Sequence, residues 1–469
     1  MKNFNEHIGL YADHYAFTMA QGYFLDGREN CRTGFDYFFR KNPFNSGYAI
    51  FAGLSDFLEM LTDFRFNSES VNALKLKGFN DKFLNYLKTF QFKGNIFAPL
   101  EGEVIFANEP VMRVEGNIIE TQLIEALLLN MINFQSLIAT KASRLRQAAG
   151  ERLVLDFGLR RAQGLSAIHA SKAAIIGGLN ATSNVFSSFA FGFNSSGTQA
   201  HSWVQSYPNE LTAFRKYAQS FPVNCTLVVD TYNTLKSGIP NAIIVAKEME
   251  HSGHKLNGIR LDSGDLAYLS KMAREILDSA GLNYVKIVAS NQLNEHLIKS
   301  LIEQKAPIDA FGVGTSLITG QYDAALDGVY KMTMADDKST LKLSENVEKI
   351  TLPGLKQIYR YYDSVGKFYA DAIVLADEKN IRKIFHPFHP HRQTEVQKLK
   401  NEVLLKKVME YGNIKIKSRS IKEISDYVKH RLSLLPDEHK RFEYPHIYKI
   451  GISKKLADLR NKLIEGFSN

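Results

Sequence analysis

Between residues 153 and 313 the chain repeats one rhythm, a short apolar β-rich run followed by a helical segment, and nothing else restricts the fold so strongly. The runs fall at 153–157, 226–230, 258–262, 285–290 and 310–313. Helix-periodic stretches lie at 166–177, 208–220, 239–251, 266–280 and 295–304. Strands alternating with helices imply βαβ units around a parallel sheet. Runs that stay apolar along their length imply strands covered on both faces. Nearly every run ends in a reactive or polar group: Phe157-Gly158-Leu159-Arg160-Arg161, Asp230-Thr231-Tyr232, Asp262-Ser263-Gly264-Asp265, Ser290-Asn291 and Gly314-Thr315-Ser316. In a β/α barrel or doubly wound sheet, the C-terminal strand ends form the active-site face.

The flanks read differently. Helical spacing covers 7–25, a strand 34–40, a turn cluster 42–47, and helices 53–61 and 68–92. Two short strands, 104–106 and 111–114, stand around the turn Ala107-Asn108-Glu109-Pro110, and one long amphipathic stretch runs from 120 to Gly150. After 330, segments 331–334, 359–362 and 368–375 predict antiparallel strands, and 453–466 an amphipathic helix.

A chain of 469 residues exceeds the usual limit of one core, so two or three domains are expected. No apolar run approaches the ~20 residues a membrane span needs, and the N-terminus lacks a signal-peptide layout. Two distant cysteines, Cys31 and Cys225, fit a reducing compartment, so a cytoplasmic location is expected. The net charge of +9 points to anionic ligands. Its excess lies in the C-terminal third without a nucleic-acid recognition motif, which favours small phosphorylated substrates over nucleic acid.

Gly312-Val313-Gly314-Thr315-Ser316, after an apolar run, suits a phosphate: glycines admit close backbone approach, and N–H and hydroxyl groups donate. Asp230 and Asp262 each end a strand, where paired carboxylates either hold Mg²⁺ or act on a proton. Asp265 is read as a helix N-cap. Arg260 precedes Asp262 by two, so in an extended strand they share a face. Arg160 and Arg161 offer forks for carboxylate or phosphate oxygens, and Phe157 a ring face. His201, in Gly197-Thr198-Gln199-Ala200-His201-Ser202, is a general base, a hydrogen-bond donor or a nucleophile toward phosphorus.

Taken together these motifs resemble the nicotinate phosphoribosyltransferase family. The resemblance runs from Asp13-His14-Tyr15 through Phe38-Phe39-Arg40-Lys41-Asn42-Pro43, the 157–164 and 197–202 segments, Arg260-Leu261-Asp262-Ser263-Gly264-Asp265 and Ala289-Ser290-Asn291 to Gly312-Val313-Gly314-Thr315, Lys342-Leu343-Ser344-Glu345-Asn346 and Pro353-Gly354. It covers most of residues 8–375, and the last ~90 residues match less clearly. It implies an α/β fold: an irregular β/α barrel of the type II phosphoribosyltransferase kind over 136–330, with a second α/β domain made from 1–135 and a returning 331–469 segment that ends in a helical tail. It implies condensation of nicotinate with 5-phosphoribosyl 1-pyrophosphate to nicotinate mononucleotide and pyrophosphate. The reaction is coupled to ATP hydrolysis with Mg²⁺, in NAD salvage.

On the same resemblance His201 is the histidine phosphorylated by ATP, and Thr198 and Arg260 contact nicotinate. Phe157 covers one face of the pyridine ring, and Tyr15 covers the other from the neighbouring subunit of a homodimer. Gly314 and Thr315 hold the 5-phosphate, Arg160 and Ser202 join the substrate-binding set, and Asp230 and Asp262 lie near ribose, pyrophosphate and metal. The nicotinamide-specific relatives carry an aspartate where this chain has Ser183, so a carboxylate substrate is expected. One departure is Ala12-Asp13-His14-Tyr15 in place of the family's Thr-Asp-Leu-Tyr, which keeps Tyr15. An aldolase or isomerase barrel would need a lysine at a strand end or a clear acid–base pair, and neither is present. An inactive basic binding protein would need a broken set of strand-end residues.

Overall fold

The computed structural model describes residues 4–346 and 349–468, which fall into two compact units, 138–324 and 1–137 with 325–469. Residues 138–324 carry six short strands: β1 (Leu153–Asp156), β2 (Ala181–Thr182), β3 (Thr226–Val228), β4 (Gly258–Leu261), β5 (Lys286–Ala289) and β6 (Ala310–Val313). They lie in the order β2-β1-β6-β5-β4-β3, and every pairing is parallel. The strand residues are mostly buried, as the unbroken apolar runs predict. Helices Ser166–Ile176, Ile239–His251, Leu266–Ser279 and Glu295–Glu303 form the crossovers. Because all six strands run one way, their C-terminal ends share one edge.

The sequence pattern did not foresee β2, whose two residues are too few for any periodicity. Beyond it the chain makes a long excursion through helices Val185–Phe191, His201–Gln205 and Glu210–Ser220 before returning as β3. That excursion delivers His201 to the strand-end edge.

The other unit is mainly antiparallel. Its seven-stranded sheet runs Lys338–Ser339, Gly328–Ala335, Arg32–Phe39, Met112–Asn117, Asn95–Ala98, Lys406–Glu410 and Asn413–Ile414. A six-stranded sheet centres on the hairpin Lys356–Tyr362 and Phe368–Leu375. The core is rich in aromatic rings; Phe35 and Tyr330 stack with centroids 4.6 Å apart on facing strands. Beneath the second sheet lies a buried charge network. Arg360 grips Asp371 through Nε and Nη2 and reaches Glu103 at 2.8 Å, and Arg431 reaches the same Glu103 oxygen at 2.7 Å.

One expectation for this unit needs correction and another gains its partners. Val104–Ile105 and Met112–Asn117 stand around the turn as expected, the first pairing with Ala49–Ile50 and the second lying between Arg32–Phe39 and Asn95–Ala98. The 120–149 stretch is two helices, Ile118–Leu123 and Glu125–Ala149, broken at Ile124. Among the described residues no helix is long and apolar enough to cross a membrane.

Candidate active site at the strand ends

Arg260, on β4, is the hub. Its Nη1 donates to Thr198 Oγ1 at 3.0 Å, its Nε to Ser290 Oγ at 2.8 Å, and its Nη2 to Asp262 Oδ1 at 2.7 Å. The two-residue offset between Arg260 and Asp262 places both on one face of the extended chain, as expected. Ser290, buried at the end of β5, also donates to Asp262 Oδ1. The guanidinium carbon of Arg260 lies 5.5 Å from the Phe157 ring centroid, within cation–π range.

Asp230 follows β3. Its Oδ2 accepts the Asp262 N–H at 2.8 Å and the Ser263 hydroxyl at 2.7 Å. Its side chain is 1% exposed, and Oδ1 is buried with no hydrogen-bond partner. His201 closes the group. Its Nδ1 shares a 3.0 Å hydrogen bond with Thr231 Oγ1, while Nε2 lies 3.5 Å from Asp262 Oδ2 and 3.8 Å from Asp230 Oδ1. The imidazole remains 38% exposed, so it is both anchored and open to an incoming group.

Burial pushes the Asp262 carboxyl up, but Ser290, Arg260 and His201 together outweigh it and hold the group below its ordinary value. It therefore stays ionised through neutral pH. For a divalent cation, the available donors are the orphaned Asp230 Oδ1 and Asp262 Oδ2. Mg²⁺ takes one or two protein carboxylates and completes its shell with substrate oxygens and water, so this donor set fits it. Among the described residues no group of three or more His, Cys, Asp or Glu gathers as metal ligands, so such a cation would be shared with substrate phosphates.

The glycine-rich turn after β6 packs on Phe157. A Cβ at Gly312 would stand 2.4 Å from two carbons of that ring, so only glycine admits the ring in this position. Gly314 begins the single helical turn Thr315–Ile318, and the Thr315 side chain is exposed. Gly264 turns the chain after Asp262 with φ of +78°. Asp265 then caps helix Leu266–Ser279, accepting the Tyr268 N–H at 3.0 Å.

Of the residues singled out in the sequence, the structure joins Thr198, His201, Asp230, Arg260 and Asp262 in one bonded web, with Phe157 against it. Arg160 and Ser202 are exposed, on the short helices Leu159–Arg161 and His201–Gln205, with no side-chain hydrogen bond among the described residues. Tyr15 is not part of the web. It sits on helix His14–Leu25 of the other unit, 47% exposed, with its hydroxyl donating to Glu125 at 3.0 Å. Burial and then the Glu125 charge push that phenol up to about 12.

Sequence reasoning gave no role to Thr231, Ser263, Ser290 or Asp156. The first three lie at or just past strand ends, and that position was the available signal. Asp156 ends an apolar run, is fully buried, and accepts the Gly158 N–H, the Ser171 hydroxyl and the Thr182 hydroxyl at 2.7–2.8 Å. Trp203, the only tryptophan, follows His201 by two residues; its indole donates to the Ala213 carbonyl at 3.0 Å, and its ring lies 5.0 Å from that of Tyr207.

Comparison with known proteins finds matches in succession along the chain. Residues 10–133 match the nicotinate phosphoribosyltransferase N-terminal domain, 153–347 the nicotinate phosphoribosyltransferase family, and 355–460 its C-terminal domain. A nicotinate phosphoribosyltransferase of Bacillus subtilis is 43% identical over 96% of this chain and 94% of its own. The human one is 31% identical over 98% and 97%. The crystal structure of human nicotinic acid phosphoribosyltransferase superposes with a TM-score of 0.86 at 28% identity, covering 96% of this chain and 99% of that one. A nicotinate-nucleotide pyrophosphorylase from Pyrococcus furiosus shares the fold, with a TM-score of 0.74 at 24% identity over 92% and 97%. The open parallel sheet is thus the curled half-barrel of an α/β type II phosphoribosyltransferase fold. With domain matches in order along its length and relatives of this identity and coverage, the chain belongs to the nicotinate phosphoribosyltransferase family.

Proposed function

We propose that the chain condenses nicotinate with 5-phosphoribosyl 1-pyrophosphate to give nicotinate mononucleotide and pyrophosphate. The reaction is coupled to ATP hydrolysis through phosphorylation of His201 and serves NAD salvage. The observation that carries this is the bonded web itself, in which an imidazole, two carboxylates and one arginine meet at the strand-end edge. The names of the relatives support the choice of substrate.

The pyridine nitrogen of nicotinate attacks C1 of the sugar, and the C1–O bond to pyrophosphate breaks with its electron pair leaving on oxygen. The nucleophile already carries a free lone pair, so the protein needs no strong base. It must align the ring and stabilise charge at the departing group. Arg260 and Thr198 hold the nicotinate carboxylate, Phe157 covers one ring face, and the partner subunit's Tyr15 covers the other in a homodimer. Gly314 and Thr315 receive the 5-phosphate, and Arg160 and Ser202 add donors to the phosphorylated substrates. Asp230 and Asp262 face the ribose and pyrophosphate and would hold Mg²⁺. When bound, that ion offsets the negative charge of the phosphate groups.

In the coupled reaction a ring nitrogen of His201 attacks the γ-phosphorus of ATP, ADP departs, and water later releases phosphate. The Thr231 hydroxyl on Nδ1 fixes the ring plane for both steps. A nicotinamide-preferring enzyme is the nearest alternative. Ser183, which offers no carboxylate to accept from an amide N–H₂, opposes it, and competition between the two substrates separates them.

The test is product analysis after incubation with nicotinate, the activated ribose phosphate, ATP and Mg²⁺. The His201→Ala variant is expected to keep an ATP-independent transferase activity and to lose ATP hydrolysis. Unchanged ATP turnover in that variant excludes the phosphohistidine.

A further inference from the structure

Tyr15 stands in the first turn of helix His14–Leu25, a helix fixed by its covered side. Ala16, Phe17 and Ala20 are buried there, and Phe17 meets Phe66 and Phe79 edge-on with centroids 5.9 and 6.1 Å apart. The Tyr15 side chain leaves the helix on its open side and is exposed. An exposed ring ordinarily samples several rotamers. This one is held at its far end, where the hydroxyl donates to Glu125 Oε2 at 3.0 Å, 110 residues along the chain.

Glu125 is itself braced. It opens helix Glu125–Ala149, directly after the break at Ile124, and a carboxylate is favoured by the unpaired N–H groups of a first turn. Gln122, buried on the preceding short helix, donates to the same Oε2 at 2.8 Å. Burial raises the Glu125 carboxyl, while the Tyr15 hydroxyl, the Lys331 charge and Gln122 pull it back. The contact sets more than the place of the ring's tip. Conjugation keeps a phenol's O–H close to the ring plane, so the direction of the acceptor also sets the rotation of the ring. Backbone and tip are then both fixed while much of the ring stays uncovered.

We propose, resting on the reading that Tyr15 covers nicotinate in the neighbouring subunit, that Glu125 is a positioning residue for the transferase reaction. By tethering the Tyr15 hydroxyl it presets the angle at which that ring meets the pyridine. A ring ordered before nicotinate arrives gives up no rotamer freedom on binding, so the tether acts on nicotinate affinity and leaves the activated ribose phosphate unaffected. Glu125 touches no substrate in this scheme and acts only through Tyr15.

The experiment is steady-state kinetics of the full chain with nicotinate and the activated ribose phosphate varied in turn. The variants are Tyr15→Ala, Tyr15→Phe, Glu125→Ala, Glu125→Gln and the Tyr15→Phe/Glu125→Ala pair. Tyr15→Ala tests the ring contact alone: it should raise the KM for nicotinate, and a wild-type value overturns both that contact and the tether. Tyr15→Phe keeps the ring and loses the tether, and Glu125→Ala loses the same tether from its other end. Each should raise the KM for nicotinate about 2- to 10-fold, the scale of releasing one ordered side chain, with the KM for the ribose phosphate unmoved. The pair should be no worse than either single change, because both remove one interaction. Glu125→Gln, whose carboxamide oxygen accepts a hydrogen bond, should recover most of the loss. If Glu125→Ala lowers the thermal melt, Tyr15→Phe and Glu125→Gln carry the test. Where Tyr15→Ala raises the KM but Tyr15→Phe leaves it at the wild-type value, the ring contact stands and the tether is overturned. Losses that add in the pair overturn it too, as does a Glu125→Ala defect that raises both KM values alike.

Discussion

One hydroxyl, that of Ser290, accepts from Arg260 Nε and donates to Asp262 Oδ1, so its loss strips two charged neighbours at once. A hydrogen bond to a charged group contributes about 1.5–3 kcal/mol, so Ser290→Ala should lower kcat/KM for nicotinate by roughly 10- to 100-fold. A second readout separates this from a packing defect. The Asp262 carboxyl is raised by burial but held low overall by Ser290, Arg260 and His201. Removing Ser290 lets it rise, so the acid limb of the pH–rate profile should move to higher pH; a profile that falls without moving counts against the role. For stability the sign follows from the same depression. The ionised carboxylate favours the fold above the usual carboxylate range, and that contribution fades as the pH drops through the lowered value. At this scale the sequence was legible where spacing encodes direction, as with Arg260 and Asp262 two residues apart on one strand. It was silent for Thr231 and Ser290, because a strand-end hydroxyl reveals its partner only once a third segment, here the His201 helix or β4, is laid beside it.

The strand ends are fastened by Asp156. Its two carboxylate oxygens tie the turn at Gly158, the helix Ser166–Ile176 through Ser171, and β2 through Thr182. Burial raises its pKa, against the opposing pull of Thr182, Gly158 and Ser171, so burying it in ionised form carries a cost that its three donors offset. Asp156→Ala leaves those donors without an acceptor and should destabilise the 138–324 unit by about 2–4 kcal/mol, seen as a lower denaturant midpoint. Asp156→Asn, which keeps the shape and an acceptor, should recover most of it; an equal loss in both would implicate the charge rather than the bonds. The strand–helix alternation of this unit was readable because strands covered on both faces are apolar throughout. The antiparallel sheets were readable as strands but not as partners. Val104–Ile105 and Met112–Asn117 follow each other closely, yet the first pairs with Ala49–Ile50 and the second with Arg32–Phe39 as well as the nearer Asn95–Ala98, and local periodicity holds no record of that choice.

At the scale of the molecule, the 1–137 and 325–469 segments make one unit from two distant stretches of chain, and a buried ionic knot lies among their strands. Arg360, fully buried, is held by Asp371 and Glu103, which come from both stretches. Arg360→Ala leaves the buried Asp371 without its cation and Glu103 with Arg431 alone, and should cost about 3–5 kcal/mol. Because the group is out of water, added salt should neither mimic nor relieve the loss; a salt-sensitive defect would mean that the knot is wetter than the structure shows. The last ~90 residues, whose resemblance to the family was weakest in the sequence, supply Arg431 to this knot, a contact that depends on which segments meet. Trp203 also takes on meaning only in the folded molecule. As the sole indole in the chain, two positions beyond His201 and packed on Tyr207, it makes the protein its own optical reporter. Its ultraviolet emission originates on the same short helix as His201, so movements of that helix can be followed in a stopped-flow fluorimeter without attaching a dye.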